Sequence, residues 1–296
     1  MDTQLLEAFV AVAETGSFSA AAELVHITQP AISKRIAQLE EQLGCKLFDR
    51  ISRTSHLTEA GLALLPRAER ILVELRETRQ AIRDLSGHVS GSLRLAISHH
   101  IGLHRLPPVL RQFVSANPGV NLEIEFMDSE IAYEGVLQGR FEVGVITLAP
   151  EPHPRILAEL VWPDPLVLMV ADEHPLTQHC NASGEVDIQQ LQHYPAILPG
   201  LETYTGRMIK QLFADNALHL NATMATNYLE TIKMLMSVGL GWTILPQSME
   251  DEGITTLSCH QLALTRSLGF IHHRDKTLSN AGQAFIALLS QSREAR

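Results

Sequence analysis

The stretch that most constrains this chain is Ala20-Ala21-Ala22-Glu23-Leu24, followed by Val25-His26-Ile27 and then by Thr28-Gln29-Pro30-Ala31-Ile32-Ser33-Lys34-Arg35. Three successive alanines carry little bulk, so helices on either side of the three-residue turn can cross closely. Thr28 suits the cap of the second helix, and Pro30 is tolerated in its first turn. The shape is that of a helix-turn-helix, whose second helix offers short polar side chains to base edges near its N-terminus. With Ile32, Ile36 and Leu39 facing inward, a rotation of about 100° per residue turns Gln29, Ser33, Lys34 and Gln38 outward. Gln can pair with adenine and Lys with guanine. Arg50 and Arg53 follow in the next turn and suit phosphate or minor-groove contact. The competing reading is a solvated polar helix face.

Charge separates the two readings. The 296 residues carry a formal net charge of −10, which argues against a general nucleic-acid coat protein. The distribution is uneven. Residues 25–57 hold five basic and three acidic side chains, whereas residues 91–296 hold 13 basic and 21 acidic. Polyanion contact is therefore expected in the N-terminal part alone.

Residues 1–90 read as helical. Leu5, Leu6, Phe9, Val10, Val12 and Ala13 form one apolar face, and Gly16 stops that helix. Ser17 or Ser19 can cap a second helix running through Leu24. The third ends near Gly44, and Lys46 to Leu57 has turn and strand character. Thr58-Glu59-Ala60-Gly61 opens a long helix to about Ser86. Its apolar residues, with one threonine, fall at Leu64, Ala68, Ile71, Leu75, Thr78, Ile82 and Leu85, alternating by four and three. That is a heptad seam, and Leu64, Ile71, Leu75, Ile82 and Leu85 are the expected dimerisation residues. An amphipathic helix packed on its own domain is the alternative. Gly87 to Ser92 reads as a hinge. Beyond it, strands are expected at 93–97, 122–127, 142–147, 166–171, 196–198, 242–245 and 268–272. Helices are expected at 106–116, 130–138, 205–214, 228–238 and 280–291. Such alternation implies an α/β fold with mostly parallel sheets, in two units.

Several classes are excluded. No apolar run approaches the roughly 20 residues of a membrane helix, so no membrane association is expected. Met1-Asp2-Thr3-Gln4-Leu5-Leu6-Glu7 has neither a basic start nor an apolar core and does not read as a signal peptide. Cys45, Cys180 and Cys259 stand far apart, which points to a reducing cytoplasm and structural thiols. No phosphate loop, GxSxG elbow or HExxH pair occurs, so neither catalytic residues nor a cofactor is assigned.

Residues 9–22, together with Thr28-Gln29-Pro30-Ala31-Ile32-Ser33, Leu39-Glu40-Glu41-Gln42-Leu43-Gly44, Leu47-Phe48-Asp49-Arg50 and Leu57-Thr58-Glu59-Ala60-Gly61, resemble the N-terminal region of LysR-type transcriptional regulators. His174-Pro175-Leu176, Gly239-Leu240-Gly241, Leu245-Pro246 and the final helix continue the likeness to the C-terminus. The resemblance implies an α+β multidomain protein. Residues 1–58 would form a winged helix-turn-helix and 59–90 a linker helix. Residues 91–296 would form a two-lobed effector domain like periplasmic binding proteins, with lobe I at about 91–161 and 266–296 and lobe II at about 162–265. It also implies a homodimer or homotetramer, acting on dyad-symmetric double-stranded DNA and on RNA polymerase at the promoter, and switched by a small molecule. Thr28, Gln29, Pro30, Ser33, Lys34, Gln38, Arg50 and Arg53 are the DNA-binding set. Lys34 stands where the family often has Arg, and it lacks the guanidinium fork.

Ligands of two-lobed α/β units bind at the C-terminal ends of strands. That rule selects Ser98, His99, His100, Asp128, Ser129, Thr147, Thr203, Thr205 and Asn227 as effector residues. Helix caps and turns are the alternative role for each. The segment from Pro199 to Gly206 leads into a helix whose free amides suit an anion, whereas Asp128 and Glu202 would oppose one. His99 and His100 could bind a metal or titrate near neutral pH, and His272-His273 on the last strand is a second pair. Adjacent strand residues point to opposite faces, so hydrogen bonding or packing is the preferred role and no metal site is assigned.

Overall fold

The Asp2 carboxylate accepts a hydrogen bond from the Gln4 amide, and Gly16 ends the first helix in the left-handed region at φ 63°, so α1 runs Thr3–Thr15. The structure is a computed structural model that describes residues 2–51, 54–85 and 87–293. It divides into two units, residues 1–86 and 87–296.

In the first unit Ser17, not Ser19, caps α2, Phe18–Leu24, and α3 is Gln29–Leu43. His26, between them, takes a positive φ of 55°, a conformation His tolerates better than most residues. Thr28 occupies the cap position of α3, but its side chain makes no capping bond. A hairpin follows, β1 at Phe48–Ile51 and β2 at Thr54–Leu57, paired antiparallel. Phe48 packs its ring against Phe9 and Phe18, at 5.4 and 5.8 Å between centroids. Helix α4, Glu59–Asp84, begins where the Thr58 hydroxyl accepts the Gly61 amide at 3.1 Å and donates to the Lys46 carbonyl. Ala68 and Leu72 of α4 are buried in the same core as Leu6, Phe9, Ile32, Ile36 and Leu39. The first half of the long helix thus completes the head.

The second unit opens with β3, Gly91–Ile97, so the expected hinge is shortened at its C-terminal end. Then come α5 at His99–His104, α6 at Pro107–Ala116, β4 at Val120–Phe126, α7 at Ser129–Leu137 and β5 at Val143–Thr147. Next are β6 at Ile156–Ala171, α8 at Ile188–Leu191, β7 at Ala196–Leu198, α9 at Tyr204–Asp215 and β8 at Ala222–Ala225. The chain finishes with α10 at Leu229–Ser237, β9 at Thr243–Pro246, β10 at Ile254–Leu257, β11 at Leu264–His273 and α11 at Asn280–Gln291.

The expectation of mostly parallel sheets does not hold. Only β3 with β4, β3 with β5 and β7 with β8 pair parallel among the described strands. β6 pairs antiparallel with β9, β10 and β11, and β11 with β5. The reason is β6 and β11. Both are long, and they run side by side through two lobes. One lobe is built on a core that includes Leu95, Val145, Trp162, Phe270 and Phe285. The other is built around Leu168, Ile209, Phe213, Trp242 and Ile244. Trp242 stacks on Phe213 at 5.7 Å and donates its indole N–H to the Leu191 and Tyr194 carbonyls. No described helix is long and apolar enough to cross a membrane.

Candidate functional site

On the head, Thr28, Gln29, Pro30, Lys34 and Gln38 are exposed and Ser33 is half-buried. Burial of Ile32, Ile36 and Leu39 fixes this orientation. The Gln29 amide donates to the Ser33 hydroxyl at 3.1 Å, so these two side chains form one patch on the first turn of α3. Arg35 points elsewhere and donates to Gln4 on α1 at 2.9 Å. The backbone of Arg50 pairs with Ser55 in the hairpin, and Arg53 lies outside the described residues. On α4, Leu64 packs against the head core. Leu75 is half-buried, while Ile71, Ile82 and Leu85 are exposed by 41, 66 and 86%. Ala68, part of the seam read from sequence, is fully buried inside the head.

In the second unit, β3, β4, β5, β7 and β8 aim their C-terminal ends at one cleft between the lobes. Ser98, His99, His100, Asp128, Ser129, Thr147, Thr203, Thr205 and Asn227 all line it. Glu202 does not line it. It is exposed, and its backbone carbonyl accepts from the Arg207 side chain. The second carboxylate in the cleft is Glu130, which accepts from the Tyr204 amide at 2.5 Å. The free amide end of α9 is thus already engaged by an acidic side chain of the facing lobe. Burial, together with Glu130, pushes the Tyr204 phenol up to about 12, so it stays protonated. Asp128 accepts from the Asn227 amide at 2.6 Å, and Asn227 accepts from the Gly200 amide at 3.0 Å. The Ser129 hydroxyl accepts from the Thr147 amide at 3.1 Å. Ser98 makes no capping bond. The cleft has a volume of about 60 Å³, which suits a compact ligand.

Beside the cleft, where β6 and β11 cross between lobes, Asp164 sits between Pro163 and Pro165, opposite Arg266. Asp164 is 1% exposed and accepts from Arg266 at 2.5 and 3.0 Å and from Arg105 at 3.1 Å. Burial pulls the Arg266 guanidinium below its ordinary range, and Asp164 counters that pull. Arg105 follows the last residue of α5, so the crossing is tied to that helix.

The sequence reading missed Glu130, Tyr204 and Arg266, which also line the cleft. It also missed a group formed by His100, His104 and Glu230. The His104 Nε2 lies 2.7 Å from the Glu230 Oε1, and the His100 Nδ1 lies 3.9 Å from the same oxygen. His100 is 6% exposed, and neither ring nitrogen has a hydrogen-bond partner. Burial, and then the Arg266 charge, pull it down to about 4, leaving a neutral ring at pH 7.

A two-helix reading head with a hairpin wing, followed by a two-lobed domain with a polar cleft, defines a ligand-responsive DNA-binding regulator. The family described as "Bacterial regulatory helix-turn-helix protein, lysR family" matches residues 3–62, and the "LysR substrate binding domain" matches residues 86–294. The chain belongs to the LysR family of transcriptional regulators. An uncharacterised HTH-type regulator of Azotobacter vinelandii is 67% identical over 108 residues, spanning 36% of this chain and 75% of that one. The HTH-type transcriptional activator CmpR of Synechocystis is 29% identical over 98% of this chain and 95% of its own. Full-length CbnR, crystallised with its target DNA, superposes with a TM-score of 0.68 at 24% identity, covering 99% of this chain and 100% of CbnR.

Proposed function

We propose that this protein switches transcription in response to a compact polar molecule held between the lobes of its second unit. The observation that carries the reading is the convergence of nine hydroxyl, imidazole, amide and carboxylate residues, from five strand ends, on one cleft. Asp128 and Glu130 give the cleft two carboxylates, and its one guanidinium among the described residues, Arg266, is already paired with Asp164. A neutral hydroxyl- or amide-bearing effector fits the cleft directly, whereas an anionic one must first displace Glu130 from the amide end of α9. An effector of this kind acts by binding one arrangement of the lobes better than the other.

On DNA, α3 enters the major groove and Gln29, Ser33 and Lys34 read base edges, with Thr28, Pro30 and Gln38 beside them. Arg50 and Arg53 contact the backbone or minor groove. Two chains join along Ile71, Leu75, Ile82 and Leu85 of the α4 segment, giving dimers and, from them, tetramers on dyad-symmetric sites, with RNA polymerase as the partner at the promoter. Selection from random duplexes tests the head. Gln29→Ala or Ser33→Ala should relax base preference at one or two positions while the head stays folded, since both side chains lie off the core. An unchanged selected site contradicts the assignment of α3.

A further inference from the structure

The helix α5 belongs to the lobe with Trp162 in its core, and α10 belongs to the other lobe. His100 and His104, one turn apart, share a face of α5. Glu230, in the first turn of α10, meets them across the cleft. We propose that His100, His104 and Glu230 form a binding site for a divalent transition metal ion of the zinc class, which joins the two lobes.

Three observations carry this. The ligating atoms all lie within 4.8 Å of one another. Ligands on a tetrahedral zinc, bonded at about 2.0–2.1 Å, stand roughly 3.3 Å apart. The distances of 2.7 and 3.9 Å bracket that spacing, so small rotations of half-exposed His104 and Glu230 reach it. The second observation is His100 itself. A buried polar ring without a hydrogen-bond partner is uncommon and needs a reason, and a bond to a metal satisfies one of its nitrogens. The third is chemistry. Two imidazoles and one carboxylate suit zinc, cobalt or nickel and not magnesium or calcium, which take oxygen ligands.

Three protein ligands leave a coordination position open, and His104 and Glu230 are 43 and 40% exposed, so water reaches the site. Because the ligands come from both lobes, the ion binds the arrangement that brings α5 and α10 together and favours it. That regulatory consequence rests on the cleft being the switch; the site does not.

The test is a zinc titration of the full-length, tag-free protein without DNA, by competition with a chromophoric chelator. The expected result is one zinc per chain, bound at least tenfold more weakly by His104→Ala and by Glu230→Gln. His260→Ala, at an exposed histidine elsewhere, should bind as the unaltered protein does. Cobalt(II) should show the intense visible bands of four-coordinate geometry in the unaltered protein and lose them in both ligand variants. Both side chains are half-exposed, so the variants stay folded. Equal zinc affinity in all four proteins, or none in the unaltered one, overturns the site. Since no DNA or organic effector enters the measurement, such a failure leaves the reading of the head and cleft where it stood.

Discussion

Asp164 lies where the two long strands that run through both lobes pair with each other. It is buried, it accepts from two guanidiniums, and it sits on the strand that passes from one lobe to the other. Removing one partner of a buried ion pair costs about 3–5 kcal/mol, because the remaining charge has no solvent to replace it. Asp164→Ala should therefore lower the stability of the second unit by about that amount. Both tryptophans report on it, since Trp162 lies in one lobe core and Trp242 in the other. Their fluorescence in a urea titration should show the loss, and a change below about 1 kcal/mol contradicts the role. Arg266 carried no motif, and its burial depends on a partner 102 positions away. His104 and Glu230, 126 positions apart, are linked by the fold alone.

At the scale of elements, α4 does two jobs along one length. Ala68 and Leu72 face the head core, while exposed apolar positions continue at Ile71, Ile82 and Leu85. We propose that these exposed positions pack against the same stretch of a second chain. On that proposal Leu75→Asp should separate the two chains, because a charge on the seam is desolvated on association. Sedimentation should show the smaller species, and an unchanged sedimentation coefficient removes α4 as the interface. Helices with strong periodicity were legible before the structure. α11 falls on its expected limits, and α6, α7, α9 and α10 fall within a residue or two of theirs. The misses have physical causes. Only 166–171 of β6 was expected as a strand; Pro163 and Pro165 interrupt its middle, and proline removes ladder donors. β8 is exposed along its length, and β10 has threonine at two of four positions and buries Leu257 alone, so neither shows an apolar run. α5 is six residues long, too short for periodicity to appear. Losing the first half of β6 also lost the antiparallel pairing that joins the lobes.

At the scale of the second unit, a few polar contacts hold the lobes together around the cleft. Asn227 meets Asp128, the Tyr204 amide meets Glu130, His104 meets Glu230, and the His99 ring lies 4.7 Å from that of Tyr228. Hydrogen bonds of this kind contribute about 0.5–1.5 kcal/mol each, so a bound molecule that adds a few can shift the balance between open and closed forms. The strand-end rule found the hydroxyls because strand ends are local in sequence. It did not find Glu130, which reaches the cleft from one lobe to bind the helix end of the other. We expect a small organic molecule to bind there. Thermal unfolding of the full-length protein against neutral polyols, amino acids, carboxylates and aromatic acids, each with and without chelator, tests it most directly. A ligand at 100 times its Kd adds about 2.7 kcal/mol. At least one compact organic molecule should raise the midpoint saturably, with or without chelator, and Thr205→Val and Ser98→Ala should each diminish the rise. A panel without any such shift, or a shift of equal size in both variants, contradicts the claim.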